Sequence, residues 1–165
     1  MNKSELTNKL MQVDMVIGDL FPGTDHKCVI VGGSALLLLN SLDRVTKDID
    51  AVEITAEISS VLVSYGFDLK VSGYIDCLPY NYEDRLVKID VETKHIMFYT
   101  PSLEDLVVMK LYGSRTQDEE DLEHISKNNM LDYKLLEKAV EEAKLSAINS
   151  RRYEEMVEMY KRFIS

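Results

Sequence analysis

The chain has 165 residues and a formal net charge of −10, with 45% hydrophobic and 29% charged residues. This length and composition are typical of a globular protein with a hydrophobic core. The acidic balance argues against non-specific binding of DNA, because such binding needs many basic side chains to neutralise phosphates.

The ends and the cysteines bear on where the protein acts. The first residues, Met1 to Glu5, carry no apolar signal region, and no apolar stretch reaches membrane-spanning length. We therefore expect no membrane partner. The two cysteines, Cys28 and Cys77, are most simply two reduced thiols. These features together predict a cytoplasmic protein.

The first part of the chain alternates between helical and strand patterns. Apolar residues at helical spacing predict a helix over 4–21, capped by Ser4 or Thr7, and a β-branched run predicts a buried strand over 27–31. Ser34 is expected to cap a short helix. In chain order the elements after it are helix 35–39, strand 47–52, helix 55–65 and strand 67–71.

The second part begins with two strands and ends in helices. Strand 85–91 is expected to form a hairpin with strand 95–99, and Pro101-Ser102 should start a helix with an acidic first turn. We expect Asp118 to cap the next helix, and two amphipathic helices to fill 132–145 and 148–164. The order predicts an α+β fold: a short mixed β-sheet flanked by helices, with a helical C-terminal part. It is one domain over 1–165, with its sheet in 1–100 and mainly helices in 101–165.

The predicted strand 47–52 carries two carboxylates. Side chains alternate along a strand, so Asp48 and Asp50 face one way and Ile49 the other. Neighbouring carboxylates repel each other, and a hard cation such as Mg²⁺ is their natural counter-ion. The alternative is a solvated acidic strand balanced by Lys47 or Arg44.

A glycine turn precedes these carboxylates. Gly32, Gly33 and Ser34 lie between a strand and a helix, where unpaired backbone N–H groups can bind an anion. The alternatives to phosphate binding are that the glycines form only a tight turn and that Ser34 is only an N-cap. A phosphate site next to a metal pair favours transfer of a phosphorus-centred group.

These two motifs resemble those of a known superfamily. Gly32-Gly33-Ser34 followed by Asp48-Ile49-Asp50 resembles the nucleotidyltransferases with the polymerase-β-type fold. The fuller string, with Ala35 and Arg44-x-Thr46-Lys47, is most similar to AbiEii-type toxins of abortive infection and related bacterial nucleotidyltransferases. A second similar stretch supports this, and it comprises Leu103-Glu104-Asp105-Leu106, Lys110-Leu111, Arg115 and Gln117-Asp118-x-x-Asp121-Leu122.

The resemblance implies a reaction and its partners. A nucleoside monophosphate would pass from an NTP to a hydroxyl of tRNA, a protein or a small molecule, with two Mg²⁺ ions. A role in toxin–antitoxin or phage defence, with a cognate partner, is implied as well. By the same resemblance, Lys110 would lie near the triphosphate, although a solvated helix face is the alternative. A catalytically inactive nucleotide-binding or partner-binding module of the same fold is the second hypothesis.

Further site residues are expected around this centre. Asp90 is our candidate for the third carboxylate, which would bind metal or take the proton of the attacking hydroxyl, with Glu92 and Asp84 as alternatives. Arg44 and Lys47 are expected to steady the leaving pyrophosphate, the alternative being a surface ion pair. We interpret the three histidines as structural, and the cysteines lack zinc spacing.

Overall fold

The computed structural model describes residues 1–23, 25–70, 75–113, 115–128 and 130–164. Its strands are β1 (His26–Val31), β2 (Ile49–Ile54), β3 (Phe67–Asp68), β4 (Val87–Lys88) and β5 (Ile96–Thr100). Its helices are α1 (Lys3–Leu20), α2 (Gly32–Leu38), α3 (Ser59–Ser64), α4 (Leu103–Tyr112), α5 (Thr116–Lys127), α6 (Tyr133–Ser146) and α7 (Ser150–Ile164). Short 3₁₀ turns cover Ala56–Ile58 and Tyr82–Arg85.

The five strands form one mixed sheet in the order β3-β2-β1-β5-β4. β1 runs antiparallel to β2 and parallel to β5, β2 runs parallel to β3, and β4 forms the expected antiparallel pair with β5. The predicted α+β class, with a short mixed sheet, flanking helices and a helical C-terminal part, is confirmed.

The chain divides into two compact units. The first comprises Met1–Ser72 and Leu86–Pro101, and contains the sheet with α1, α2 and α3. The second comprises Gly73–Arg85 and Ser102–Ser165, and contains α4 to α7. The predicted bounds, 1–100 for the sheet and 101–165 for the helices, stay a prediction, and residues 73–85 group with the helical unit. That the whole chain acts as one domain stays a prediction.

In the first unit, apolar strand residues form the core: β1 is buried on both faces from Cys28 to Val31, whereas β5 is buried at alternate positions. Cys28, Ile30, Ile49 and Phe98 are buried, and the rings of Phe98 and Phe67 stack with their centroids 6.5 Å apart. α2 packs on β1 and β2, and α1 packs on α2 and α3. This packing fixes the connection from β1 through α2 to β2.

A buried carboxylate ties α1 to the start of β5. Asp14 accepts backbone N–H groups from Lys94, His95 and Ile96 at 2.7–3.1 Å. One turn later, α1 carries Gly18, where an added Cβ would lie 2.2 Å from the His95 ring. A glycine inside a helix costs about 1 kcal/mol relative to alanine. Here it provides the space that lets His95 lie against the helix.

In the second unit, α4 is the central helix and contacts α5, α6 and α7. The helix starts after Pro101-Ser102 as expected, and Ser102 caps it by accepting the N–H of Asp105. The buried Asp105 carboxylate also binds Arg85 through two hydrogen bonds of 2.8 and 3.0 Å. Arg85 reaches Glu142 of α6 at 2.7 Å as well, so this guanidinium joins three segments of the unit.

Several predicted helix starts were wrong. Asn2, not Ser4 or Thr7, caps α1, in a capping box with Glu5. Helix α2 begins at Gly32 and therefore includes Ser34 as its third residue instead of its cap. Arg115, not Asp118, is the N-cap residue of α5.

Two predicted strands are shorter than expected. β4 is limited to Val87–Lys88, so Asp90 lies outside it, and residues 82–85 form a 3₁₀ turn. β3 ends at Asp68, and the last predicted residue of that strand, Val71, lies outside the described residues.

Among the described residues, no helix is long and apolar enough to cross a membrane. Cys28 and Cys77 are buried and not joined in a disulfide, as expected. Burial raises the pKa of both thiols above its ordinary value. They are therefore protonated core side chains at neutral pH.

We expect Asp14→Ala to lower the free energy of unfolding by about 3 kcal/mol, because three backbone N–H groups lose a charged acceptor. Asp14→Asn retains one acceptor oxygen and should fall between this variant and the wild type. Denaturant unfolding followed by circular dichroism measures both effects.

The matched control is Asp19→Ala, which removes an exposed carboxylate from the same helix. It should change the free energy of unfolding by less than about 0.5 kcal/mol. If Asp14→Ala were as stable as Asp19→Ala, the buried carboxylate would not anchor β5.

Candidate active site in the first unit

The β1–α2–β2 connection brings the two sequence motifs together. In the antiparallel register of β1 and β2, Val31 lies opposite Asp50. Because α2 begins at the residue after Val31, its first turn lies beside the beginning of β2. The structure thus places the glycine turn next to the carboxylate strand.

The two carboxylates differ in exposure. Asp48 is exposed and immediately precedes β2, whereas Asp50 is half-buried within the strand. Ile49, between them, is fully buried in the core. Strand alternation then places Asp48 and Asp50 on the face away from Ile49.

Gly32 contacts the second carboxylate closely. Its φ is +68°, a left-handed conformation that side-chain-bearing residues rarely adopt. A Cβ added at this position would also lie 2.8 Å from Oδ2 of Asp50. Both the backbone conformation and the space beside the Asp50 carboxylate therefore require glycine.

Gly33 gives similar space to a cation. A Cβ on Gly33 would lie 3.2 Å from Nη2 of Arg44, so the guanidinium covers the first turn of α2. Arg44 also donates to the Val45 carbonyl at 3.2 Å. Lys47 is exposed in the loop just before Asp48. Of the two predicted cations, Arg44 is the one that contacts the glycine turn.

Ser34 is buried, with 1% of its surface exposed, and its hydroxyl donates to the backbone carbonyl of Asp48 at 2.7 Å. The Thr46 hydroxyl donates to the same carbonyl at 3.0 Å. Sequence reasoning gave Thr46 no role of its own. Its only signal was its place in the motif between Arg44 and Lys47.

Asp90 lies just beyond the end of β4, at the β4 edge of the sheet. Continuing the β4–β5 register by two residues places it opposite Met97, which pairs with Lys27 of β1. Asp50 pairs with Val31, which lies four residues beyond Lys27 along β1. β2, which carries Asp50, and β5 flank β1 on opposite sides. The backbones of Asp90 and Asp50 are thus separated by roughly 13 Å along the strands and roughly 14 Å across them. The structure does not bring Asp90 beside Asp48 and Asp50.

Asp68 is a carboxylate that the sequence analysis did not select. It pairs with Asp50 in the parallel register of β2 and β3, and it is exposed. Its Oδ1 accepts the N–H of Lys70 at 2.9 Å. The signal that could have found it is its place in the predicted strand 67–71, directly after the helix that follows β2.

In the second unit, Lys110 is buried between two carboxylates. Its Nζ lies 2.8 Å from Oδ1 of Asp118 and 2.7 Å from Oδ2 of Asp121, and only 7% of the lysine is exposed. The alternative of a solvated helix face is therefore wrong. The predicted role near a triphosphate stays a prediction.

Asp118 is held by two cations. Arg115 donates to it as well, at 3.1 and 3.2 Å. Burial alone would raise the pKa of Asp118, but hydrogen bonds from Arg115 and Lys110 outweigh burial and lower the pKa below its usual value. A Cβ on Gly113 would lie 2.3 Å from this carboxylate, so that glycine makes room for the cluster.

Comparison with known proteins identifies the family. A family model described as "Nucleotidyltransferase of unknown function (DUF6036)" matches residues 8–165. The chain belongs to this family. No curated protein and no solved structure matches the chain. The predicted membership of the nucleotidyltransferase superfamily is confirmed, and the closer likeness to AbiEii-type toxins stays a prediction.

For a member of this nucleotidyltransferase family, the first unit offers a donor set that suits Mg²⁺. Asp48 and Asp50 supply carboxylate oxygens, and Gly32 leaves open the space beside Asp50. Among the described residues, no group of three or more histidine, cysteine or acidic side chains is arranged to hold a metal. Two carboxylates suit Mg²⁺, because proteins commonly bind this ion through one or two carboxylates together with substrate phosphates.

We expect Lys110→Met to lower the free energy of unfolding at pH 7 by about 3–5 kcal/mol, because Asp118 and Asp121 would lose their buried counter-charge. The lowered pKa of Asp118 stabilises the wild type above the pKa of the unfolded chain, and this contribution is lost as the pH falls. The deficit of the variant should therefore shrink below about pH 5. Urea unfolding at a series of pH values measures this.

Lys127→Met is the matched control, since Lys127 pairs with Glu123 where both side chains are exposed. It should leave the unfolding midpoint nearly unchanged at every pH. Equal losses in the two variants would contradict a special role for the buried lysine.

Proposed function

We propose that the protein is a Mg²⁺-dependent nucleotidyltransferase that transfers a nucleoside monophosphate from an NTP to an acceptor hydroxyl. The observation that carries the proposal is the close approach of the Gly32 backbone to the Asp50 carboxylate, in a chain that belongs to a nucleotidyltransferase family. This approach puts a phosphate-binding type of turn beside a metal-binding type of strand.

The glycine turn would bind the triphosphate. The first backbone N–H groups of a helix lack partners within it, and in α2 these belong to Gly32, Gly33 and Ser34. Their partial positive charge favours an anion. Arg44, which lies against Gly33, adds a full positive charge, and Lys47 would steady the leaving pyrophosphate.

Asp48 and Asp50 would hold Mg²⁺, with two ions in the complete site. When bound, Mg²⁺ offsets the negative charge of the triphosphate and of the leaving pyrophosphate. The protein's own task is to keep both carboxylates on one face. Burial of Ile49 between them does so, because it anchors the strand in the core.

A third carboxylate would take the proton of the acceptor hydroxyl or complete the metal site. Asp90 is the residue predicted from the sequence. Asp68 is better supported by position, because it is paired with Asp50 on the neighbouring strand. We therefore propose Asp68 for this role and retain Asp90 as the alternative.

The acceptor is a hydroxyl of a protein, a small molecule or tRNA. The net charge of −10 makes the first two at least as reasonable as RNA. A cytoplasmic toxin–antitoxin or phage-defence system, with a cognate partner, is the setting we propose.

The second candidate function is a catalytically inactive module that binds a nucleotide or a partner protein. One observation favours it: within the described part of the chain, no group of three acidic, histidine or cysteine side chains is arranged to hold a metal, so Asp68 is paired with Asp50 without completing such a group. Such a module would keep NTP binding without transferring the nucleotide.

We expect the wild type to bind an NTP in a Mg²⁺-dependent manner, and Asp48→Asn/Asp50→Asn to lose this binding by at least about tenfold, since removal of metal ligands weakens the bridge to the phosphates. Isothermal titration calorimetry with each of the four NTPs, with and without Mg²⁺, measures the effect and the base preference.

The control is Asp43→Asn, which removes one exposed negative charge from the preceding loop and should bind like the wild type. A well-folded wild type that binds no NTP at any Mg²⁺ concentration would contradict the proposal. Binding that persists in the double variant would place the nucleotide elsewhere.

The third carboxylate can be assigned by counting bound ions. At saturating NTP, Asp68→Asn should reduce the number of Mn²⁺ ions bound per chain from two to one, because one carboxylate of the second site is lost. Asp90→Asn should leave two. Electron paramagnetic resonance titration of Mn²⁺ gives the stoichiometry, and the reverse pattern would return the role to Asp90.

A further inference from the structure

The side chain of Ser34 is directed at the protein itself. Its Oγ donates to the carbonyl of Asp48 at 2.7 Å, and Ser34 is almost completely buried. Thr46, which is 8% exposed, donates to the same carbonyl at 3.0 Å. The two hydroxyl oxygens lie 3.4 Å apart. Two buried hydroxyls thus converge on one backbone oxygen, in the residue that carries the first carboxylate.

From this geometry we propose that Ser34 and Thr46 are positioning residues for Asp48, because their hydroxyls hold its carbonyl and thereby direct its carboxylate. The inference rests on the proposed function, because it concerns how the same metal site is built.

The number of available protons supports this assignment. A serine hydroxyl has one O–H to donate, and in Ser34 it is used on the Asp48 carbonyl. A phosphate oxygen accepts hydrogen bonds, so the hydroxyl can bind it only by releasing Asp48. The backbone N–H of Ser34, in the first turn of α2, is a separate donor. One residue can therefore serve the phosphate with its backbone and the metal ligand with its side chain.

Asp48 needs such support because it lies outside the sheet ladder. β2 begins at Ile49, and Asp48 is exposed, so strand pairing does not fix its backbone. Its carbonyl has two lone pairs, which is the capacity required to accept both hydroxyls. Holding this oxygen fixes the peptide that joins Asp48 to Ile49, and with it the direction of the Asp48 side chain relative to Asp50. Residues that orient metal ligands in this way commonly change metal affinity by 10–100-fold when they are removed.

The test compares metal affinity with nucleotide affinity in four proteins: wild type, Ser34→Ala, Thr46→Val and Thr46→Ser. Thr46→Val removes the hydroxyl at nearly constant volume, and Thr46→Ser keeps it. Mn²⁺ affinity is measured by electron paramagnetic resonance without nucleotide and at saturating NTP, and NTP affinity is measured by calorimetry at saturating Mg²⁺. Thermal unfolding checks that each variant is folded.

We expect Ser34→Ala to weaken Mn²⁺ binding by about tenfold, and Thr46→Val to weaken it severalfold, while Thr46→Ser stays within about twofold of the wild type. NTP affinity at saturating Mg²⁺ should stay within about twofold in all variants, since the backbone donors are intact and the metal site is filled. A hydroxyl that matters only for folding would shift thermal stability and leave the Mn²⁺ affinity of the folded protein unchanged.

Two results would overturn the assignment. If Ser34→Ala weakens NTP binding at saturating Mg²⁺ and leaves Mn²⁺ affinity intact, the hydroxyl is a phosphate ligand. If wild type and variants bind Mn²⁺ equally well, the proposed function survives and only the positioning role fails. A wild type that binds no Mn²⁺, with or without NTP, overturns the metal site itself and this inference with it. Should Ser34→Ala fail to fold, the Thr46→Val and Thr46→Ser pair decides the question.

Discussion

The antiparallel pairing of β1 with β2 is the constraint on which the candidate site depends. It sets Val31 opposite Asp50, and because α2 follows Val31 directly, the first turn of this helix must lie beside the second carboxylate. The contact is so close that only glycine fits at position 32, where both the positive φ and the Asp50 oxygen exclude a Cβ. A slip of the register by one residue would turn Asp50 into the core and Ile49 outward. Burial of Ile49 therefore fixes the register of β2, and with it the position of Asp50 in the site.

The second unit uses its charged residues differently. Arg85 binds Asp105 and Glu142, and Lys110 binds Asp118 and Asp121, all in largely buried surroundings. A buried ion pair adds little net stability compared with apolar packing, yet removing one partner is costly because the other charge is left uncompensated. Such pairs consequently specify which helix faces meet. The charged motif around α4 and α5 thus has a structural explanation within its own unit, whatever else it contacts.

Local sequence patterns predicted the helices and strands well, and the tertiary contacts between them poorly. Alternation around Ile49 and the glycines after Val31 identified β2, the turn and the carboxylate pair. The sequence did not reveal that Asp90 lies far from Asp50. The position of Asp90 depends on the register of β4 with β5. Strands pair through backbone groups that every residue has, so side-chain patterns do not determine this register. Asp118 was expected to cap a helix because an acidic residue near a helix start commonly does so. Its true partner, Lys110, belongs to the preceding helix, and only tertiary packing brings the two together.

Ser34 shows how one short segment can serve two purposes without conflict. In the first turn of a helix the backbone N–H groups point along the axis toward an anion, while side chains extend sideways onto neighbouring elements. In α2 the neighbour is the loop before β2, and the Ser34 hydroxyl meets the Asp48 carbonyl there. The two glycines before Ser34 leave room for Asp50 and Arg44, so the same turn determines where two carboxylates and one cation can lie. The neighbouring charged groups explain why both positions are glycine. A larger residue at either position would displace Asp50 or Arg44 from the place where a triphosphate and its metal would bind.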